Sequence, residues 1–213
     1  MTNLPIPGTE GPFDIPASDS TTLIVALLAD TAASGLGDDP ELLDLRFVCD
    51  NALISSRVTG VTTLGYAVSN DDLPDLPTAV VTLDAPGIID VPQNSQDLFV
   101  VSTTNIGQSA EIRAEPKLEL GGVITGLDPS DELPELTLTI CETNPVDAVC
   151  IAEPTAFVDR TIATDEIVTF NVFVSSSDAA VPFIPERNRV YVLFREGADG
   201  PVRGGSSVAA RTR

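Results

Sequence analysis

The chain has 213 residues and carries 32 Asp and Glu against 11 Lys and Arg, so its formal net charge is −21, and it contains no histidine. A hydrophobic fraction of 43% and a mean hydropathy of +0.19 argue against a disordered acidic chain, because such chains lack apolar residues. The missing histidine excludes Ser-His-Asp and Cys-His catalysis, histidine-bound zinc and haem with a proximal histidine. The acidic surface also disfavours nucleic acid as a partner.

Neither a membrane span nor a signal peptide is predicted. No run of about 18 apolar residues occurs along the chain. The start, Met1–Gly8, lacks the basic and apolar regions of a signal peptide, which indicates a trimmed mature chain or a fragment of a longer gene product.

Alternating and β-branched runs predict ten strands, separated by breaks rich in Pro, Gly, Asp and Asn. In chain order the predicted strands are Thr22–Leu28, Leu45–Cys49, Val58–Val68, Thr78–Leu83, Leu98–Thr103, Ile112–Leu120, Leu136–Cys141, Ile167–Ser175, Val190–Arg195 and Ser207–Ala210. The best helical segment is Asp38–Leu45, which we expect to form a turn or two at most. The pattern therefore predicts an all-β sandwich with little or no helix.

The sequence resembles itself at a shift of 147 positions, with chance similarity as the alternative explanation. The shift superposes Thr22–Leu28 on Thr169–Ser175, Leu45–Cys49 on Val192–Glu196, and Arg57–Thr63 on Gly204–Ala210. This match predicts a complete module at residues 78–213 and, at residues 1–77, an incomplete module with only its last strands and a Pro-rich N-terminal arm. Three strands with an apolar face need something packed on them, either the second module or a part of another chain.

Two of the three cysteines flank a turn signal. Asn144-Pro145 separates apolar segments that end in Cys141 and begin again at Cys150, which predicts a hairpin stapled by a disulfide. Two reduced, buried cysteines are the alternative. A disulfide would imply an oxidising compartment, and the partner of Cys49 is expected in the part that the first module lacks.

Acidic loop clusters are the candidate metal ligands. Asp71, Asp72 and Asp75 lie at the predicted junction of the modules, where a bound Ca²⁺ would stiffen the joint. Neither these residues nor Asp38-Asp39 nor the cluster Asp128–Glu132 has the spacing of an EF-hand or of a calcium-binding nonapeptide repeat. The alternative is that each cluster is a solvated loop.

Arginines concentrate near the C-terminus. Arg187, Arg189, Arg203 and Arg211 are candidate interaction residues through which one copy meets the acidic front of the next, and Arg195 and Arg213 lie in the same region. The alternative is that they pair with nearby acids on outward strand positions.

Several segments together resemble a largely uncharacterised group of bacterial secreted and surface proteins with tandem immunoglobulin-like modules. The resemblance covers mainly residues 80–213 and is carried by Leu136–Pro145, Cys150, Val181–Phe183, Asn188–Arg195 and Val202–Ala209. It implies immunoglobulin-like β-sandwich modules with Greek-key type connections, export, and a role without catalysis.

These observations predict a non-enzymatic, extracellular protein of the bacterial cell surface. It would form a structural or filamentous assembly with copies of itself or with other surface modules, in the sharper version by strand complementation. The alternative is a Ca²⁺-dependent adhesin, with Ca²⁺ as the only candidate cofactor. A glycosidase needs paired carboxylates, which the chain could supply, but it has no Trp and only Tyr66 and Tyr191 for stacking on a sugar. The simplest interpretation is that the chain is a fragment of a larger surface protein.

Overall fold

The computed structural model describes residues 41–45, 48, 63–66, 69, 71–83, 87–118, 135–185 and 187–213. The described residues form eleven strands and no helix, which confirms the predicted all-β class. They accordingly include no helix that is long and apolar enough to cross a membrane. The strands are β1 Glu41–Asp44, β2 Thr63–Tyr66, β3 Thr78–Thr82, β4 Ile88–Val91, β5 Gln96–Thr104, β6 Ala110–Lys117, β7 Leu136–Glu142, β8 Val158–Ile162, β9 Ile167–Ser176, β10 Arg189–Glu196 and β11 Val202–Thr212.

Strands β3 to β11 form two sheets that share one core. The four-stranded sheet has the order β3-β5-β9-β7, and the five-stranded sheet has the order β4-β11-β10-β6-β8. Every pairing is antiparallel except that of β4 with β11. Phe170 of one sheet contacts Phe194 of the other, with ring centroids 5.6 Å apart. The two sheets therefore pack face to face as a β-sandwich.

The alternation of strand residues explains this core. In β5, Phe99 and Val101 point inward and are fully buried, and in β9 the same holds for Val172 and Val174. Each buried side chain of this kind stabilises the fold by about 1.5–3 kcal/mol relative to an exposed one. In β10 the outward residues Arg189, Tyr191 and Leu193 are buried as well.

The prediction of a helical turn within Asp38–Leu45 is wrong for the part that the structure describes. Glu41–Asp44 is strand β1, which pairs antiparallel with β2 in a sheet of two strands, Glu41 opposite Tyr66. So short a segment gains little from helix formation alone, because the first helical turn is costly to nucleate. A cross-strand ladder satisfies its backbone instead.

Most of the predicted incomplete module lies outside the described residues. This applies to Thr22–Leu28, to Cys49, and to most of Leu45–Cys49 and Val58–Val68. The division at residues 77 and 78 stays a prediction. The sandwich core does begin slightly earlier, because Leu76 is only 1% exposed and belongs to it.

Candidate interaction surface

The outer face of the five-stranded sheet is charged, and most of its charges form ion pairs within the chain. Arg113 binds Asp159 through two hydrogen bonds of 2.7 and 2.8 Å, and its guanidinium lies 3.9 Å from the centroid of the Phe157 ring. The hydrogen bond from Arg113 lowers the pKa of Asp159 below its usual value, against a smaller desolvation effect that raises it. This pair bridges β6 and β8.

A second pair closes the opposite edge of the same sheet. Arg211 of β11 hydrogen-bonds both carboxylate oxygens of Asp90 in β4, and its guanidinium lies 4.9 Å from the centroid of the Phe183 ring. The hydrogen bond from Arg211 lowers the pKa of the Asp90 carboxyl. The short strand β4 is thus held to β11 by an ion pair as well as by its backbone.

Further basic groups around this sheet also meet acids of the same chain. Glu115 accepts from Arg195 at 2.8 Å and from Lys117 at 2.9 Å. Arg203, whose side chain is 6% exposed, binds Glu196 at 2.8 Å.

Arg189 is buried and is held by oxygens rather than by a carboxylate. Its guanidinium donates to the Ser207 hydroxyl and carbonyl, each at 3.0 Å, and to the Pro185 carbonyl at 2.8 Å. Burial lowers the pKa of Arg189 from its ordinary value. Arg187 is half-buried and lies just before β10, the strand that begins at Arg189.

The predicted interaction residues Arg187, Arg189, Arg203 and Arg211 thus lie in β10, in β11 or directly before β10. Three of them engage acceptors of their own chain in the contacts given above. Their role in association stays a prediction.

The outer face of the four-stranded sheet has a different character. Register and alternation place fifteen strand residues there, in rows across β3, β5, β9 and β7. None of the fifteen is Asp, Glu, Lys or Arg; they are Ala79, Val81, Gln96, Leu98, Val100, Ser102, Thr104, Thr137, Thr139, Cys141, Ile167, Thr169, Asn171, Phe173 and Ser175. We call this surface the uncharged face.

Apolar side chains form the middle of the uncharged face. Leu98 lies opposite Phe173, and Val100 lies opposite both Val81 and Asn171. Val81 is 61% exposed, whereas Leu98, Val100 and Phe173 are half-buried. This surface carries no charged strand residue although the whole chain has a net charge of −21.

The predicted disulfide joins Cys141 to Cys150, with Cα atoms 5.6 Å apart. Cys141 lies on the uncharged face and is 1% exposed. The connecting loop turns as the Asn144-Pro145 signal predicted, with the Asn144 N–H donating to the Val149 carbonyl at 2.9 Å.

The disulfide loop adds exposed apolar side chains beside the uncharged face. Val146 is 91% exposed, Val149 60% and Ile151 63%. Asn171 in β9 holds the loop to the sheet, because its Nδ2 donates to the carbonyl of Ala148 at 3.0 Å. Ala148 needs this support, since its φ of 57° lies in the left-handed region that non-glycine residues rarely adopt.

After Cys150 the chain runs along the outer edge of β7. The Ile151 N–H donates to the Glu142 carbonyl at 2.9 Å, and Ile140 and Thr155 exchange two backbone hydrogen bonds of 2.8 and 2.9 Å. This return segment, residues 151–155, covers the edge of the sheet that β7 would otherwise leave open.

The segment Leu73–Pro77, which we call the junction segment, is anchored to both sheets. The Leu76 N–H donates to the Arg203 carbonyl in β11 at 3.0 Å, and the Asp75 carbonyl accepts from Ile106, just after β5, at 2.9 Å. Asn105 is fully buried, and its Oδ1 accepts from the Asp75 N–H at 3.2 Å and from the Gly107 N–H at 3.1 Å.

Two glycines make room for the junction segment. A Cβ on Gly107 would lie 1.9 Å from the Leu73 carbonyl oxygen, and a Cβ on Gly204 would lie 2.1 Å from that of Leu76. No side chain larger than hydrogen fits at either position with this backbone.

The candidate metal ligands Asp71, Asp72 and Asp75 lie in or just before the junction segment, and all three residues are exposed. Partial desolvation raises the pKa of Asp75. Among the described residues, no three His, Cys, Asp or Glu side chains gather closely enough to hold a metal ion. Calcium binding by these three aspartates stays a prediction.

The uncharged face, Asn105 and the two glycines were not identified from the sequence. The sequence contained a signal for the apolar part of this face. Leu98–Val101 and Val172–Val174 are apolar at successive positions, which predicts strands that are apolar on both sides. The sequence contained no signal for the two glycines, since nothing in it indicates which distant carbonyl approaches them.

No protein-family model and no curated protein matches the chain. Among solved structures, it is similar over 63% of its length to 89% of AvmM, described as catalysing macrocyclization in alchivemycin A biosynthesis, with 9% identity and a TM-score of 0.32. A family 123 glycoside hydrolase from Clostridium perfringens matches at 8% identity and a TM-score of 0.33, covering 65% of this chain and 27% of the enzyme.

The N-terminal domain of PorA matches at 9% identity and a TM-score of 0.30, covering 64% of this chain and 97% of that domain. Likeness at this level assigns neither a fold family nor an activity to this chain.

Proposed function

We propose that the chain is a non-catalytic, extracellular interaction module of a bacterial cell-surface or filamentous assembly. The observation that carries the proposal is the difference between the two outer sheet faces. Most charges on the five-stranded sheet pair within the chain, whereas the uncharged face offers apolar side chains without any charge. A partner that packs there removes apolar surface from water and strips no charge of its hydration.

The strand order supports an immunoglobulin-like sandwich. The sheet β3-β5-β9-β7 corresponds to the order A-B-E-D of such domains, and β11-β10-β6 corresponds to G-F-C. One connection differs, because the strand that extends the second sheet beyond C is β8, which follows β7 in the chain instead of preceding it. The immunoglobulin-like assignment is therefore part of this proposal.

Export is supported by the disulfide between Cys141 and Cys150, because such bonds persist in oxidising compartments. A role without catalysis is supported by the sequence, which supplies no histidine for general acid–base chemistry.

Sedimentation of the full chain, with electron microscopy of the same sample, tests the proposal. We expect multimers or fibres that persist in EDTA, and we expect Leu98→Glu on the uncharged face to weaken them. Ser109→Glu is the matched control, because it adds the same charge at an exposed loop position off that face. A stable monomer that does not respond to calcium would overturn the proposal, and a monomer whose Tm falls in EDTA would favour the calcium-dependent adhesin.

A further inference from the structure

The four edges of the two sheets are not equally protected against pairing with another chain. In the five-stranded sheet, the edge strand β8 carries Asp159 and Arg160, and the other edge strand, β4, has only four residues and carries Asp90. Charges and short strands are the usual protection of sheet edges. In the four-stranded sheet, the return segment 151–155 covers β7.

Strand β3 carries no charge, and no described segment covers its edge. Its sequence, Thr-Ala-Val-Val-Thr, contains neither charge nor proline. Its outward residues Ala79 and Val81 are exposed. Among the described residues, only those of β5 share a backbone ladder with β3.

The ladder between β3 and β5 shows which backbone groups point away from the sheet. The Thr104 N–H donates to the Pro77 carbonyl. Since hydrogen-bonded pairs alternate along an antiparallel ladder, Ala79 and Val81 direct their N–H and C=O groups toward β5. Val80 directs both of its groups toward the open edge.

We infer that β3 pairs antiparallel with β3 of a second copy of this chain, about a two-fold axis at Val80. The two Val80 residues exchange N–H to C=O hydrogen bonds, and Ala79 of each copy lies opposite Val81 of the other. The two uncharged faces then join into one face of a continuous eight-stranded sheet. This inference rests on the proposed function and adds a second copy of the chain as the partner at the β3 edge.

Charge is the reason for choosing a second copy as the occupant. Two chains of −21 repel wherever their acids face each other. At β3 and on the uncharged face beside it, each copy presents only neutral side chains to the other. A two-fold contact uses the same patch on both copies, so one neutral edge is enough.

The register can be tested with a pair of charge variants of the full chain, analysed by sedimentation velocity. In Ala79→Glu/Val81→Glu, a Glu faces a Glu twice across the axis, and we expect the dimer dissociation constant to rise at least about tenfold. In Ala79→Lys/Val81→Glu, a Lys faces a Glu twice, and we expect the dimer to be retained. Circular dichroism establishes that both variants fold.

A second test needs no variant. Exchange of the Val80 amide hydrogen should slow as the wild-type concentration rises through the dimer dissociation constant, whereas that of Val81, already bonded to β5, should respond less. Val80→Pro removes this donor without removing a donor to β5, and should abolish the dimer.

The outcomes separate the inference from the proposed function. A wild-type chain that is monomeric at every concentration overturns both. Multimers that survive Ala79→Glu/Val81→Glu, or a Val80 amide that exchanges at a constant rate while multimers form, overturn the β3 pairing but leave the assembly role standing.

Discussion

Leu76 and Gly204 approach each other so closely that only hydrogen fits between them. A Cβ on Gly204 would lie 2.1 Å from the Leu76 carbonyl oxygen and 2.7 Å from the Leu76 Cβ. Both atoms belong to a buried residue of the core, and so neither can move aside without cost.

Gly204→Ala is therefore expected to destabilise the fold by about 1–3 kcal/mol, the usual cost of overpacking a well-packed core. Chemical denaturation monitored by circular dichroism measures this. Ser206→Ala, two residues along the same strand, is the control and should change stability much less. Equal stability of wild type and Gly204→Ala would contradict the close approach of the junction segment to β11.

Removal of the disulfide should lower the free energy of unfolding by about 2–4 kcal/mol, since the bond constrains the unfolded chain. Cys141→Ser/Cys150→Ser tests this by thermal denaturation, with Cys49→Ser as the matched control. Alkylation of the unreduced, denatured wild type gives a direct check of the pairing. Modification of both Cys141 and Cys150 in that experiment would show that the bond is absent.

We expect Arg189 to stabilise the fold through the hydrogen bonds that its guanidinium donates. Arg189→Met leaves the Pro185 and Ser207 carbonyls without their donor, so we expect a loss of about 1.5–3 kcal/mol, the usual range for hydrogen bonds to a charged group. Arg189→Lys should recover only part of it, because an ammonium cannot reproduce the planar fork. Arg113→Met, on the exposed outer face, is the control with a smaller effect. A stable Arg189→Met that fails only to assemble would instead support the predicted interaction role.

The ion pairs Arg211–Asp90 and Arg113–Asp159 give the stability of the fold a defined dependence on acid pH. Because the folded-state pKa values of Asp90 and Asp159 are lowered, their contribution to stability is complete above the unfolded pKa of about 3.9. It is lost as the pH falls through the lower folded values. Carboxyl titration by NMR should place both below the usual Asp value and place Asp75 above it.

Arg113→Gln supplies the matched comparison for that titration. The pKa of Asp159 should return toward its ordinary value, while that of Asp90 should stay low because Arg211 is untouched. An unchanged Asp159 pKa in this variant would mean that the ion pair does not form in solution.

Strands with long runs of apolar and β-branched residues were predictable from sequence, as β5, β9 and β10 illustrate. The strands β4 and β8 were not. Ile88–Val91 has only four residues, and Val158–Ile162 contains Asp159 and Arg160, whose charges hide the strand pattern. Asp90 in β4 pairs with Arg211, and Asp159 in β8 pairs with Arg113. Both arginines lie in other strands, so these pairs cannot be inferred from local sequence.

The pairing of β1 with β2 does not have the register that the match of the sequence to itself would give. Shifted by 147 positions, Leu43 falls on Val190 and Leu64 on Arg211. The structure pairs Leu43 with Leu64 in an antiparallel ladder, whereas Val190 pairs with Val208. Register depends on which side chains find a core, and a weak internal similarity does not specify that.

Anchoring of the junction segment also decides how the sandwich would bear a mechanical load. A pull applied at Leu73 reaches Asp75 and Leu76, whose hydrogen bonds lead to the end of β5 in one sheet and to β11 in the other. The force is divided between both sheets before it reaches β3. An edge strand pulled directly would peel away one hydrogen bond at a time, whereas here several bonds must break together.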